Sequence, residues 1–344
     1  MQHVEISTTR ANPLVDPVLQ VWGWEIPVYL FLGGLVAGLL ALSGFYLLRS
    51  RTASERGAWP QAPMLGVVLL TLGMGALFLD LDHPWYVWRV YLTFEPASPM
   101  SWGSWILILV YPALFAAALL HPPERVPFGA GLLAVIRRGS EWMWARPRLV
   151  QAIALSNLVG GIALGLYTGI LLGTMVARPL WNSAILGPLF LFSGLSSAAA
   201  LMHVLTLVRT HGLVDSTYAD LLLHGLFQLL KPPGRDPSTA GEAMVRADAA
   251  FLSVEGALIA LFVIGLAAST EVQQQALQLL LTGAYAPVFW CLILGTGILV
   301  PLVLQSLELA GRIRHTVVPA LLVIAGAFLL RWVLVQAGQV SSWT

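Results

Sequence analysis

Charge is what this chain has least of. Eighteen Lys and Arg with 17 Asp and Glu make up 10% of its 344 residues, far below what a water-soluble protein of this length spends on its surface. A formal net charge of +1 also gives no basic footprint for nucleic acid. Cysteine is nearly missing: Cys291 stands alone inside an apolar run, which excludes a disulfide framework, an iron–sulfur cluster or a cysteine-ligated zinc built from this chain. Histidine is almost as limiting. Of His3, His83, His121, His203, His211, His224 and His315, only His203 falls well within a hydrophobic run, so no facing pair for a b-type haem and no metal site are expected.

What the chain has instead is hydrophobic length. With 58% hydrophobic residues and a mean hydropathy of +0.80, it reads as an all-α, polytopic membrane protein. A bilayer core takes roughly 20 apolar residues as helix. Eight stretches meet that length, at about 26–48, 62–80, 102–120, 150–176, 184–208, 249–269, 284–305 and 316–337.

An even number of spans puts both termini on one side, and the cations say which. The loop after span one carries Arg49, Arg51 and Arg56, and that after span three Arg125, Arg137, Arg138, Arg146 and Arg148. Arg209, Lys231, Arg235 and Arg246 follow span five, and Arg312 and Arg314 follow span seven. Only Arg10, Arg89, Arg178 and Arg331 remain, so the basic loops are expected to be cytoplasmic and both termini periplasmic. The polar opening, residues 1–20, has no basic n-region or small-residue cleavage site. No removable leader is expected, and span one inserts the protein.

The helices are expected to group as two four-helix bundles. Along the sequence, residues 1–208 hold the N-terminal segment and helices one to five, 209–248 a cytoplasmic loop, and 249–344 helices six to eight. The loop contains Pro232-Pro233-Gly234 and Asp236-Pro237, which break helices, after an apolar Tyr218–Leu230 segment suited to lying on the membrane surface. The spacings Gly34/Gly38, Gly161/Gly165 and Gly165/Gly169 let helices approach closely. Gly33-Gly34 and Gly160-Gly161 lie in apolar spans with no strand before them, so they are not dinucleotide-binding glycines.

The polar residues gather at the outer ends of the first four spans. Glu25 opens span one, and span two ends at Asp80, Asp82 and His83, with Arg89 in the turn. Span three returns through Ser101, Trp102 and Ser104, and Tyr167 and Thr168 lie in the outer half of span four. Imidazole, carboxylate and phenol would supply hydrogen bonds to two carbonyl oxygens and a proton exchanger, which is what a quinone needs. Arg89 is expected to pair with Asp80 or Asp82 as a supporting ion pair. Trp85, Trp88, Trp102, Trp105 and Trp181 read as an aromatic belt.

These residues carry a resemblance. Trp22-Gly23-Trp24-Glu25-Ile26-Pro27 running into Phe31–Gly38, the Asp80–Pro84 turn, Pro96–Trp105 and Gly165-Leu166-Tyr167-Thr168-Gly169 resemble segments of the NrfD/PsrC family of membrane subunits. The resemblance is close over the first four spans and rests on span count and loop pattern beyond them. It implies a multi-pass subunit of the bacterial inner membrane, without redox metal, that binds menaquinone or ubiquinone near its outer face. By the same resemblance it docks on a four-cluster ferredoxin-like iron–sulfur subunit joined to a molybdopterin catalytic subunit. Asp80 would be the family's span-two acid and Tyr167 the tyrosine beside the quinone. Asp82 departs from the pattern, which commonly has glycine there.

Residues 81–100 and the segment before Trp24 would then form the docking surface. A second polar set, Glu255 and Asp248 in or beside span six, His203 in span five and Glu308 at the end of span seven, suits a proton path from the cytoplasm, although Asp248, Glu308 and His203 read equally as boundary residues bonded to headgroups or loop arginines. Intramembrane Glu255 and Arg331 also suit a secondary transporter or proton channel, and a purely structural anchor is a third reading.

Overall fold

The computed structural model describes residues 22–49, 62–122, 130–210, 239–313 and 316–341. The Tyr218–Leu230 surface helix, the Pro232–Pro237 breakers, His3, His211, His224 and His315 lie outside them. Eight helices are long and apolar enough to cross a membrane, and no strand occurs among the described residues. The protein is a multi-pass membrane protein.

In sequence order, α1 is Glu25–Arg49 and α2 is Ala62–Leu79. A 3-10 turn at Pro84–Tyr86 and a short α3, Trp88–Leu92, fill the connection to α4, Pro99–Leu120. Next come α5, Ala130–Trp144, α6, Pro147–Gly173, and α7, Leu186–Thr210. The remainder is α8, Thr239–Ala267, α9, Glu271–Leu281, α10, Val288–Leu309, and α11, Val318–Val340. The spans alternate in direction, so Glu25, Asp80, Pro99, Leu186 and Val340 share one face, the Glu25 face. Arg49, α5 and the described arginines Arg137, Arg138, Arg146, Arg148, Arg246 and Arg312 lie at the other, the Arg49 face.

The spans form because their apolar runs are uninterrupted, and they stay apolar on both sides. Leu79, Leu109, Ile264 and Val303 are exposed, as residues facing lipid are. The ends are chemically marked. Glu25 in the first turn of α1 and Arg49 in the last complement the helix dipole, and α4, α6 and α11 each begin with proline in their first turn, where no N–H is needed. Gly311 stops α10 with φ +69°. There the Arg312 and Gly311 N–H groups return to Leu307 O (2.9 Å) and Glu308 O (3.0 Å), a Schellman closure.

Two elements differ from the sequence reading. The sixth span begins at Thr239 rather than about 249, so residues 239–248 belong to α8 and not to the loop, and Asp248 and Glu255 are both interior to the helix. The seventh is wound as π-helix over Val288–Leu299 before returning to α-helix at Val300. Pro301 sits at the start of the resumed α-helix, where its missing N–H is tolerated.

α1 neighbours α2 and α6, and α4 closes the ring between them. α7 neighbours α8 and α11, with α10 between those two. The two rings meet where α1 packs on α7 and α11 and where α6 packs on α7. At the α1–α6 crossing a Cβ on Gly161 would come 2.5 Å from Ala37 O and Ala41 N, so only glycine allows that approach. The two ends of the described sequence are tied at the Glu25 face: Trp22 N–H donates to Gln339 Oε1 (2.8 Å), and Gln339 Nε2 donates to Trp22 O (2.9 Å).

Candidate functional site

The Glu25 face of the first ring is built by one turn and three helix ends. Ser101, near the start of α4, accepts from the Glu95 N–H (3.0 Å) and donates to Thr93 O (3.1 Å), while Ser104 Oγ donates to Val90 O (3.0 Å). These bonds pin the 88–98 connection onto α4. Trp102 Nε1 donates to Pro96 O (2.8 Å), so this indole fastens the turn while its ring remains exposed.

Behind the turn lies a cluster of phenols. Tyr167, 5% exposed, lies over Gly103 of α4, filling the volume a Cβ would take there. Tyr29 of α1 and Tyr91 of α3 are close enough that Tyr29 feels both Tyr91 and Tyr167. Thr168 is fully buried, its hydroxyl donating to Gly165 O (2.9 Å) and its methyl facing Gly33 of α1.

In front of the phenols are the acids. Asp80 is half-buried, and its carboxyl titrates above its usual range, first because of that burial and then because of the negative charges of Glu25 and Asp82. Asp82 and His83 are exposed, the imidazole edge-on to Tyr86 at 6.4 Å. Arg89 forms no ion pair with Asp80 or Asp82: among the described residues the one salt bridge is Arg246–Glu242. Its guanidinium lies instead over the rings of Tyr86 (4.5 Å) and Trp88 (5.5 Å), an exposed cation–π arrangement. Among the described residues, the acids are thus left without a cation to neutralise them. Trp85, Trp88, Trp102 and Trp105 are exposed as a belt requires, but Trp181 is 3% exposed and donates to Leu334 O (2.7 Å). It is a core residue of the second ring.

The second polar set is buried and bonded. Asp248, 1% exposed, accepts from Ser196 Oγ (2.7 Å) and Gln305 Nε2 (2.6 Å). Glu255 lies two helical turns further along the same face of α8 and is 3% exposed, with Ser193 and Arg331 among the groups acting on its carboxyl. Arg331 of α11 donates to Ser193 Oγ (3.0 Å) and lies in the field of Glu255. Glu308, at the end of α10, accepts from the Thr316 N–H (3.0 Å) and hydroxyl (3.2 Å), and His203 is buried on α7. The four expected residues therefore lie in the second ring, but Ser193, Ser196 and Gln305 join Asp248 and Glu255.

Neither Tyr29 nor Tyr91 was singled out by the sequence reading. Tyr29 had a signal, since it follows Glu25 by four residues and so shares its helix face. Tyr91 had none, because its place depends on how the turn folds back. Among the described residues no group of three or more His, Cys, Asp or Glu is arranged to hold a metal ion. A separate cavity, lined by Ser43, Tyr46, Pro63, His121, Asn157 and Met202 among others, opens toward the Arg49 face, away from the phenols and acids.

Fold and site together define a helical multi-pass membrane protein with an acid and phenol cluster at one membrane face and a buried polar chain in the other helix ring. Its residues 12–231 and 236–342 match the family model described as polysulphide reductase, NrfD. The protein belongs to this NrfD/PsrC family. It is similar to one of the polysulfide reductase chains of Wolinella succinogenes, with 30% identity covering 93% of this protein and 94% of the relative. It is similar also to protein NrfD of Escherichia coli, at 29% over 93% and 96%. A selenate reductase subunit of Mesobacillus selenatarsenatis is 26% identical over 93% of this protein and 74% of its own length.

Proposed function

We propose that this protein is the quinone-reactive membrane subunit of a respiratory oxidoreductase complex in a bacterial inner membrane. The observation that carries the reading is the convergence of Asp80, Glu25, His83 and Tyr167 at one membrane face in a member of this family. Two of the relatives are named as parts of a polysulfide reductase and a selenate reductase, which supports a role within a larger reductase. The arginines of the opposite face favour a periplasmic Glu25 face and periplasmic termini. The contacts of α1, α2, α4 and α6, and of α7, α8, α10 and α11, favour two four-helix bundles.

The residues fit a menaquinone or ubiquinone head by their chemistry. His83 and Tyr167 present N–H and O–H donors suited to carbonyl oxygens, and the belt of exposed indoles suits an amphipathic ligand entering from lipid. When bound, the quinone would supply two-electron redox chemistry linked to proton exchange. Asp80 is the group for the proton: its half-buried carboxyl, crowded by Glu25 and Asp82, keeps a proton at pH values where an open carboxylate has lost it. Tyr167, fixed against Gly103, orients the ligand by its hydroxyl, with Thr168 buried beside it holding α6 to α1. Arg89, Asp82 and Trp102 shape the rim, where a four-cluster iron–sulfur subunit, linked to a molybdopterin subunit, would dock over residues 81–100.

The series Glu308, Asp248, Glu255, with His203 nearby, is the proposed proton path from the cytoplasmic side. A secondary transporter or proton channel, the competing reading, draws on that series alone. Purification of the tagged protein in mild detergent, followed by mass spectrometry of co-purifying polypeptides and lipids and EPR of the reduced sample, separates the two. Iron–sulfur signals, a ferredoxin-like partner and retained quinone are expected. A protein that emerges alone, with neither clusters nor quinone, would favour the transporter.

A further inference from the structure

Arg331 is among the largest side chains in the protein with no exposure at all, and the proton path does not use it. It stands nine residues before the end of α11, about 14 Å from the Glu25 face by helical rise. Its guanidinium fills the gap where the two rings meet. Nε donates to Leu30 O of α1 (3.1 Å), Nη2 to Phe190 O of α7 (3.1 Å), and Nη1 to Ala327 O of its own helix (2.9 Å) and to Ser193 Oγ (3.0 Å). The guanidinium Cζ lies 5.0 Å from the centroid of the Phe190 ring. A Cβ on Gly34 would come 2.5 Å from Nη2, so α1 is bare where the cation sits.

Two features of this position belong together. On the Arg49 side of Arg331 polar groups follow one another at intervals: Ser193 bonded to Arg331, Glu255 beside them, and Asp248, bonded to Ser196 and Gln305, two helical turns beyond Glu255. On the Glu25 side the packing turns mainly apolar: Ile26, Leu30, Leu186, Leu330 and Leu334 share one buried cluster with Trp181 and the Tyr29 phenol. A fixed cation at the end of a polar chain repels any excess proton arriving along it, as arginines do in pores that reject protons. A packing role alone does not call for a charge there, because buried ion pairs contribute weakly to stability beside apolar residues of similar volume.

We propose that Arg331 is the electrostatic barrier on the proton path beyond Glu255 that keeps the membrane proton-tight when the complex is not turning over. It sits beside Ser193, whose hydroxyl accepts from Arg331 and which also acts on the Glu255 carboxyl, so that proton entry at Glu255 is met by a positive charge close by. This rests on the reading of Glu255 as a proton carrier.

The test is passive proton flux through the purified complex in vesicles of phosphatidylethanolamine and phosphatidylglycerol. A potassium potential set by valinomycin drives the flux, pyranine inside reports pH, and no redox substrate is present. Wild type is expected to be as tight as protein-free vesicles, and Arg331→Gln to leak more than ~10-fold faster. Arg331→Lys, which keeps the charge but loses the planar fork, should stay tight, whereas a purely structural role would fail in both. Arg331→Gln with Glu255→Gln should be tight again. Should Arg331→Gln not assemble, Ala327→Asp keeps the arginine and sets a carboxylate one turn from it, and this variant should also leak. An intact, monodisperse Arg331→Gln or Ala327→Asp complex that stays tight overturns the barrier, and so does a leak that survives Glu255→Gln. Failure of the underlying reading is seen elsewhere: Glu255→Gln alone would leave turnover-linked proton uptake unchanged.

Discussion

The two polar regions of this protein are made in opposite ways. The Glu25-face cluster is open: Asp82 and His83 are exposed, Asp80 is half-buried, and three carboxylates share the region with no paired cation among the described residues. The series through Asp248, Glu255 and Arg331 is closed, each member 3% exposed or less, with Asp248 and Arg331 tied by side-chain hydrogen bonds. Exposed, underneutralised groups are suited to meet a ligand that arrives and leaves. Buried groups closed off from solvent suit moving only charge. On the proposed function, ligand contact and proton supply would fall to different helix rings, joined through α1, whose Gly33 faces Thr168 and whose Gly34 faces Arg331.

If that division is right, perturbing one region leaves the other's readout alone. The largest expected effect is Arg331→Leu, which removes four buried hydrogen bonds, to Leu30, Ser193, Ala327 and Phe190, and costs about 3–5 kcal/mol of stability. Thermal denaturation of the detergent-solubilised complex measures it, and retained quinone in the surviving fraction should be unaltered. Next is Gly103→Ala. The added methyl displaces the Tyr167 ring, and a misplacement of ~1 Å lowers quinone-linked turnover on the order of 100-fold, with vesicle proton tightness unchanged. Tyr167→Phe keeps the packing and removes only the hydroxyl, so a loss of about 10-fold in turnover is expected; an equal loss in both variants would mean that ring position does not matter.

Gln339→Ala removes both bonds to Trp22 and should cost about 1–2 kcal/mol while touching neither region's function. The smallest effect is a titration. Asp80 holds its proton more tightly in the folded protein than its ordinary 3.8, so its contribution to stability is present at low pH and lost as pH rises through the raised value. Difference infrared spectroscopy of the carboxyl band, with Asp80→Asn as reference, should find the midpoint above 3.8. Glu25→Gln should bring it part of the way back, because burial, the larger cause, remains.

The eight spans were legible in the sequence because hydropathy over about 20 residues is a local property. The start of α8 was not, since Glu242, Arg246 and Asp248 end the hydropathic window while the backbone continues as helix. The Asp80–His83 turn was legible for the same local reason. The fate of Arg89 was not, because Tyr86 and Trp88 compete for the guanidinium only once the 84–92 segment folds. The buried polar series was half visible: Glu255 stands out in any apolar run, whereas Ser193, Ser196 and Gln305 look ordinary until α7, α8 and α10 are packed together.

The most direct test of the central claim is where a quinone touches the protein. The purified complex, photolabelled with an azido-quinone at limiting concentration and mapped by peptide mass spectrometry, should carry the label on residues 80–105 and on the α6 segment around Tyr167, with less label in Gly103→Ala. Label confined to the opposite face, around the cavity of Ser43, His121 and Asn157, would contradict a quinone site at the Glu25 face.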